Sequence, residues 1–430
     1  MDFILFFIGL YALLRNRTHS VITCIILLSS RYLQLPIKSP FFVNFIFPHN
    51  VEDLGLVLYM MWFTMYYFKG LTSSSHPIIK YTNFFWFFLI MSGCYDIYIG
   101  VPAVDVIKYL RQWILLTVVY VAPNIPFQTI IRSLKQITII TTITCVYILF
   151  TNITGIALIE MRTLEGRGVK PPSYAMICAV LCFANPWNWS KLKKYTYLLL
   201  LLAPVIVNMK ATYAVTIVGA ISLFVMISSK TKTINKIVML TAISLMSIGV
   251  LSFSNEFADR MSEMIENVTS QSLSNISSED NFTYRIAHSV ERLGYILTKN
   301  NATRIRGLGF ITDDHYKEDA FVIGLWNKEK KEITQLDTGD IAWSLLFLRL
   351  GIVGLIIYLS FYIKLASLLL KNRKRNTLYG AYASILVVFL LFTSLGNTII
   401  TNGEFFFIPL LVTSYNKLIY GNNSSSYLVI

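Results

Sequence analysis

The sequence predicts an all-α, polytopic integral membrane protein with about 12–13 transmembrane helices and one large loop on the outer side. Three observations lead there. Of the 430 residues, 55% are hydrophobic and only 14% are charged, and the mean hydropathy is +0.59. Soluble domains carry about 45–50% apolar and about 25% charged residues. The apolar residues also come in blocks of roughly 17–25, the length that crosses about 30 Å of hydrocarbon. Finally, the blocks are continuous rather than alternating. Of the two architectures that satisfy their backbone in lipid, this favours helices over a barrel.

In chain order the spans are expected near 2–14, 20–37, 51–68, 82–99, 104–122, 137–157, 172–186, 195–208, 211–228, 236–253, 341–366, 377–399 and 404–420. The run from Phe3 to Leu14 has no basic segment before it and no small-residue cleavage site. It therefore reads as a retained first span and not as a signal peptide. The chain divides into an N-terminal transmembrane bundle (1–253), a large outer loop (254–340) and C-terminal transmembrane helices (341–430).

Lysine and arginine set the orientation. One set of loops holds Arg15, Arg17, Lys69, Lys80, Arg132 and Lys135, then Lys191, Lys193, Lys194, Lys230, Lys232 and Lys236, and finally Lys371, Arg373, Lys374, Arg375 and Lys417. The short loops of the other set hold Lys38, Arg162, Arg167, Lys170 and Lys210. The richer set is cytoplasmic by the positive-inside rule, which puts the C-terminus inside. The same rule accounts for the net charge of +14, so no nucleic-acid partner is expected. The five cysteines lie in apolar blocks without metal-ligand spacing, and neither a metal nor a cofactor is expected.

The outer loop carries 15 of the 23 acids. A structureless loop of this length is uncommon unless it is functional. Phe257, Met261, Met264, Ile265 and Val268 repeat at helical spacing, as do Ile286, Val290, Leu293 and Leu297. Such apolar faces are expected to pack onto the membrane mouth or onto each other.

Charges inside spans are costly and mark functional sites by default. Arg31, Lys108, Arg111, Arg349 and Lys364 lie within spans, and all but Lys364 fall in the outer half. Lys210 and the loop residues Arg162, Arg167 and Lys170 add to the same side. Positive charge thus gathers where no topology rule requires it. Such a mouth suits a phosphate or pyrophosphate, which the planar fork of arginine grips by pairs of oxygens. Snorkelling, or pairing with Asp96 and Asp105, accounts for the same residues without a ligand.

In the loop, Arg285, His288 and Arg292 share one helical stripe that could face an anionic head group or simply solvent. Gly307-Leu-Gly-Phe310 reads as a tight turn before Asp313, Asp314 and His315, a group suited to acid/base work or to metal binding, or an ordinary loop surface. Asp340 opens the next span nine residues before Arg349, so the two point to opposite sides of a regular helix. A carboxylate among cations stays ionised and could deprotonate a sugar hydroxyl, or it could serve as an N-cap.

The stretch Asp340-Ile-Ala-Trp-Ser-Leu-Leu-Phe-Leu-Arg-Leu-Gly-Ile-Val-Gly354 resembles the O-antigen polymerase (Wzy) family, which shows an Asp, an aromatic three later, an Arg nine later and a Gly-Ile-x-Gly. Arg162 to Tyr174 looks like that family's Arg- and Gly-containing outer loop, and Arg285 with Gly307-Leu-Gly-Phe310 like its large-loop pattern. The likeness covers roughly 155–360 and is diffuse. One departure is Met209-Lys210, where the family often has Ser-Arg; lysine keeps the charge but not the bidentate grip.

The resemblance implies a GT-C-like membrane glycosyltransferase of the bacterial inner membrane, with the large loop periplasmic. Its substrate would be undecaprenyl-pyrophosphate-linked oligosaccharide. A chain-length regulator protein would be a further partner. Asp340, then His288 and His315, are the candidate bases. Arg162, Arg167, Lys210, Arg285, Arg292, Arg349 and Arg111 are the candidate contacts to pyrophosphate or glycan. The rivals are an O-antigen ligase, which usually carries His where this chain has Asp340, and a lipid-linked oligosaccharide flippase or transporter. A lipid-phosphate-sugar transferase using Glu52-Asp53 is a third.

Overall fold

The structure is a computed structural model. It describes residues 2–30, 51–67, 77–156, 163–164, 168–169, 171–207, 211–228, 282–324, 326–327, 332–336, 341–395 and 397–414. Asp340, Arg162, Arg167, Lys170 and Lys210 lie outside the described residues, as do the expected span at 236–253 and the apolar stripe from Phe257 to Val268.

The described chain is helical apart from two antiparallel pairings of two residues each, Thr163–Leu164 with Gly168–Val169 and Trp326–Asn327 with Glu332–Ile333. The helices up to the large loop are α1 (Asp2–Leu14), α2 (Thr18–Ser29), α3 (Val51–Tyr67), α4 (Pro77–Tyr98), α5 (Ala103–Arg111), α6 (Phe127–Thr154), α7 (Tyr174–Ala184), α8 (Lys191–Val207) and α9 (Ala211–Ile227). The loop contributes α10 (Phe282–Thr298) and α11 (Asn301–Arg306). The chain then forms α12 (Ala342–Lys371), α13 (Thr377–Leu391) and α14 (Gly403–Ser414).

Among the described residues, α6 and α12 are long and apolar enough to cross a membrane. The others are shorter or less apolar. The block at 104–122 is not one α-helix: α5 stops at Arg111 and a 3₁₀ segment runs from Ile114 to Tyr120. Likewise α13 gives way to short 3₁₀ turns at Thr393–Leu395 and Ile399–Thr401. Apolar composition alone does not distinguish these tighter coils from a continuous span.

Helix ends follow local chemistry. Gly155 closes α6 at φ 71°, and Asn185 closes α7 at φ 52° while its side chain bonds both backbone groups of Trp189. Asn300 and Asn376 cap α11 and α13, each accepting a backbone N–H through its side chain. One buried cluster takes residues from both the N-terminal and the C-terminal helices. Within it Phe85, Trp113, Tyr358, Phe361 and Phe406 pack edge-on, tilted or stacked at 5.0–6.4 Å. Such pairs add to the area they bury.

The loop helix α10 forms where its periodicity places it, but with its faces reversed. Ile286, Val290 and Leu297 are 41%, 60% and 44% exposed, whereas His288, Ser289 and Arg292 are buried. The polar stripe wins the interior because it finds partners there. His288 and Ser289 bond Ser344 on α12, and Arg292 bonds Glu291 and the carbonyls of Ile323 and Gln335. A buried polar group is tolerated when it is bonded.

Candidate functional site

The site forms where the end of the loop settles on α4, α5 and α12. Two glycines make the approach possible. Gly307 and Gly351 have φ of +78° and +58°, and their backbones touch. A Cβ on Gly307 would run into the Leu348 carbonyl, and one on Gly351 into the Gly307 nitrogen. The contact is sealed by Leu308 N–H donating to Leu348 O at 2.7 Å. Gly351 interrupts the helical dihedrals of α12, the kind of kink that has an identifiable local cause.

Four successive loop residues are then held by ionisable side chains from three helices. Arg349 Nη1 donates to Gly309 O at 3.2 Å and to Ile311 O. Asp96 Oδ2 accepts from Phe310 N at 2.8 Å, and Asp105 Oδ2 accepts from Thr312 N at 3.0 Å and Thr312 Oγ1 at 2.8 Å. The Phe310 ring stacks on Tyr109 with centroids 4.3 Å apart. The Gly309 carbonyl and the Phe310 N–H captured here are buried and would otherwise lack these partners, so the charges and the loop depend on each other.

Three carboxylates are buried among the described residues: Asp53, Asp96 and Asp105. Asp53 pairs with Arg111 at 2.8 Å, and Asp96 pairs with Arg306, whose guanidinium also lies 4.3 Å from the centre of the Tyr95 ring. Asp105 instead meets His315, with Nδ1 2.8 Å from Oδ2. Facing a carboxylate, Nδ1 carries the ring proton and donates it. Arg111 lies six residues beyond Asp105 on α5, about 9 Å along a helix.

Among the residues nominated from sequence, Arg349 and His315 belong to this layer, with Arg111 under about two helical turns from Asp105 on α5. Arg349 is buried and engaged by the loop, so its described contacts are to protein carbonyls. His315 pairs with Asp105 across 210 residues and not with its acidic neighbours Asp313 and Asp314, while its Nδ1 also lies 3.3 Å from Thr312 Oγ1. Of those neighbours, Asp313 accepts the backbone N–H groups of Gln335 and Leu336.

The other nominated loop residues sit in a second cluster. Arg292 is 0% exposed, bonded to Glu291 and two carbonyls, and stacked over Phe321 at 4.3 Å; burial pulls its pKa down to about 10. His288 Nδ1 lies 2.8 Å from Ser344 Oγ, and burial, with the nearby Arg292 charge, pushes its pKa down to about 3. Arg285 is half-buried on the same helix. The reversed packing of α10 thus turns His288 and Arg292 toward protein.

Sequence reasoning passed over Arg306, Thr312 and Ser344. A usable signal for Arg306 was present: it directly precedes Gly307-Leu-Gly309, and a charged residue beside a glycine pair built for close approach needs a counter-charge nearby. No group of three or more His, Cys, Asp or Glu is arranged to hold a metal among the described residues.

No protein-family model matches the chain, and no curated protein is significantly similar to it in sequence.

Proposed function

We propose that the chain is a membrane glycosyltransferase that polymerises oligosaccharide repeat units carried on a polyprenyl pyrophosphate, at the outer face of a bacterial inner membrane. The observation that carries this reading is a contact between two separate stretches of sequence. Gly307-Leu-Gly-Phe310 and the Asp340–Gly354 stretch each resemble the O-antigen polymerases, and here they meet, Gly307 on Gly351 and Arg349 on the Gly309 and Ile311 carbonyls. Two patterns 40 residues apart that serve one contact make a chance likeness harder to sustain.

A lipid setting is supported by the outward side chains. Phe87, Ile143, Ile153, Leu192, Leu199 and Ile363 are all well exposed. Helices with apolar side chains on both their inner and outer faces suit a lipid solvent. In this reading the chain spans about 12–13 times, the large loop is periplasmic and the C-terminus cytoplasmic.

The reaction asks little covalent chemistry of the protein. An acceptor sugar hydroxyl attacks C1 of the growing glycan, and the C1–O bond to pyrophosphate breaks with its electron pair on the leaving group. Cations fixed near that oxygen would stabilise the departing charge. Arg111 and Arg285 keep partial access for this, as does Arg306, and Lys108 is exposed on α5. Holding two bulky lipid-linked substrates in line supplies much of the remaining acceleration. A proton must leave the acceptor hydroxyl as the new bond forms, so this end of the bundle needs one base.

The test is reconstitution of the purified chain in liposomes with the lipid-linked repeat unit isolated from a host lacking its polymerase. A ladder of multiples is expected. A single band that never lengthens overturns the reading. In cells, deletion is expected to leave single-repeat glycolipid. Polymer unattached to core would indicate a ligase, and absence of any surface repeat a flippase.

A further inference from the structure

Two of the three buried carboxylates at this end hold an arginine, and the third does not. Among the described residues, the one ionisable partner of Asp105 is His315. Asp105 Oδ2 collects the two Thr312 donors and the imidazole, while Oδ1 is buried with no hydrogen bond. The imidazole of His315 thus faces a buried carboxylate that no arginine or lysine among the described residues engages.

The ring is also presented outward. The His315 side chain is 48% exposed although its carboxylate partner is 1% exposed. With Nδ1 committed to Asp105, Nε2 is the free acceptor nitrogen, and it has no hydrogen bond among the described residues. The backbone around it is fixed through Thr312 and through the Ile311 carbonyl on Arg349, so the ring stands on a clamped segment. An oriented imidazole with a buried carboxylate behind it and solvent before it is the arrangement that general-base chemistry uses.

We propose that His315 and Asp105 form the proton-accepting pair of the glycosyl transfer, a proposal that rests on the polymerase reading. His315 Nε2 takes the proton of the acceptor hydroxyl as that oxygen bonds to C1 of the donor glycan. The C1–O bond to pyrophosphate breaks, and its electron pair leaves with the pyrophosphate. The imidazolium that results is stabilised by Asp105 and returns its proton to water after product release. His315 is then a catalytic residue, and Asp105 a positioning one that fixes the tautomer and the charge. His288 is poorly suited to the step, being buried and bonded to Ser344.

The experiment uses the full chain in liposomes with the same isolated lipid-linked repeat unit, comparing wild type with His315→Ala, His315→Gln and Asp105→Asn. The expected result is a fall in kcat of about 100-fold or more for both His315 variants. KM should change little, and protease protection of the loop should be retained. Added imidazole should restore turnover to His315→Ala but not to His315→Gln, whose side chain still fills the space. Asp105→Asn should lose less than either His315 variant, since it keeps the shape but offers the wrong charge. Wild-type kcat in His315→Ala overturns the proposal and leaves the polymerase reading standing. So does a loss that imidazole cannot rescue and that comes with loop unfolding or a raised KM. A wild-type protein that never builds a ladder overturns the underlying reading and the proposal with it.

Discussion

Gly309 lies directly against the Asp96 carboxylate, with no room between them for a side chain. A Cβ there would overlap both carboxylate oxygens, and the residue has φ +78°. The carboxylate needs that proximity because it also accepts the Phe310 N–H and pairs with Arg306. The glycine is therefore required by contact as well as by backbone conformation.

Gly309→Ala is accordingly expected to unseat the loop. The positive φ alone costs about 1–3 kcal/mol for a non-glycine residue, and the overlap with Asp96 adds to it. The measurement is limited proteolysis of the loop together with thermal unfolding in detergent. Unchanged protection would show that the Gly309–Asp96 contact is dispensable.

Arg349 is expected to behave as a clamp. Arg349→Met removes a donor from the buried Gly309 carbonyl and from the part-buried Ile311 carbonyl, and an unsatisfied buried group costs about 1–3 kcal/mol. Arg349→Lys keeps the charge but not the forked geometry and should recover only part of the loss. Thermal midpoints of the three proteins in the same detergent decide it, the expected order being wild type, Lys, Met.

Arg292 should prove structural. Removing it takes the counter-charge from Glu291, which keeps the Val322 and Ile323 N–H groups, takes a donor from the Ile323 and Gln335 carbonyls, and bares one face of Phe321. Breaking a buried charged pair costs about 3–5 kcal/mol, so Arg292→Met should destabilise strongly. Any loss of polymer should follow the folded fraction. A fully folded but inactive Arg292→Met, judged by size-exclusion profile and proteolysis, would return this residue to the list of substrate contacts.

His288 makes stability depend on acid. Its pKa is depressed from 6.5 to about 3 in the folded protein. Between those values the unfolded chain binds a proton that the folded one refuses. Stability is therefore complete above pH 6.5 and falls as the pH drops toward 3. The slope contributed is on the order of 1 kcal/mol per pH unit. His288→Gln should flatten that part of the curve of unfolding midpoint against pH, and an unaltered slope would assign the acid sensitivity to other groups.

Much of the helical character was legible from the sequence, because its apolar blocks are long and continuous and do not alternate as strands do. The existence of α10 was legible too, from Ile286, Val290, Leu293 and Leu297. Its orientation was not. Periodicity identifies two faces of a helix but does not say which one finds partners, and Ser344, Ile323 and Gln335 come from distant parts of the chain. The break between Arg111 and Ile114 was hidden for a similar reason, since a 3₁₀ segment has the composition of the helix it replaces.

The candidate site divides along the same line. Asp96, Asp105 and Arg349 are visible as charged residues in or beside apolar sequence, and their cost in such surroundings already says that each must have a partner, whereas His315 stands in a polar run that gives no such signal. Which partner each one takes is decided in three dimensions. His315 stands next to Asp314 in the chain but meets Asp105, 210 residues away, because two glycines let the loop backbone come down onto α12 and carry the ring to α5. Sequence by itself determined that charge had to be neutralised inside this protein. Tertiary structure decided that two buried carboxylates would hold arginines and the third a histidine left half open to its surroundings. Pairing energy depends on distance through space, and distance along the chain does not fix it.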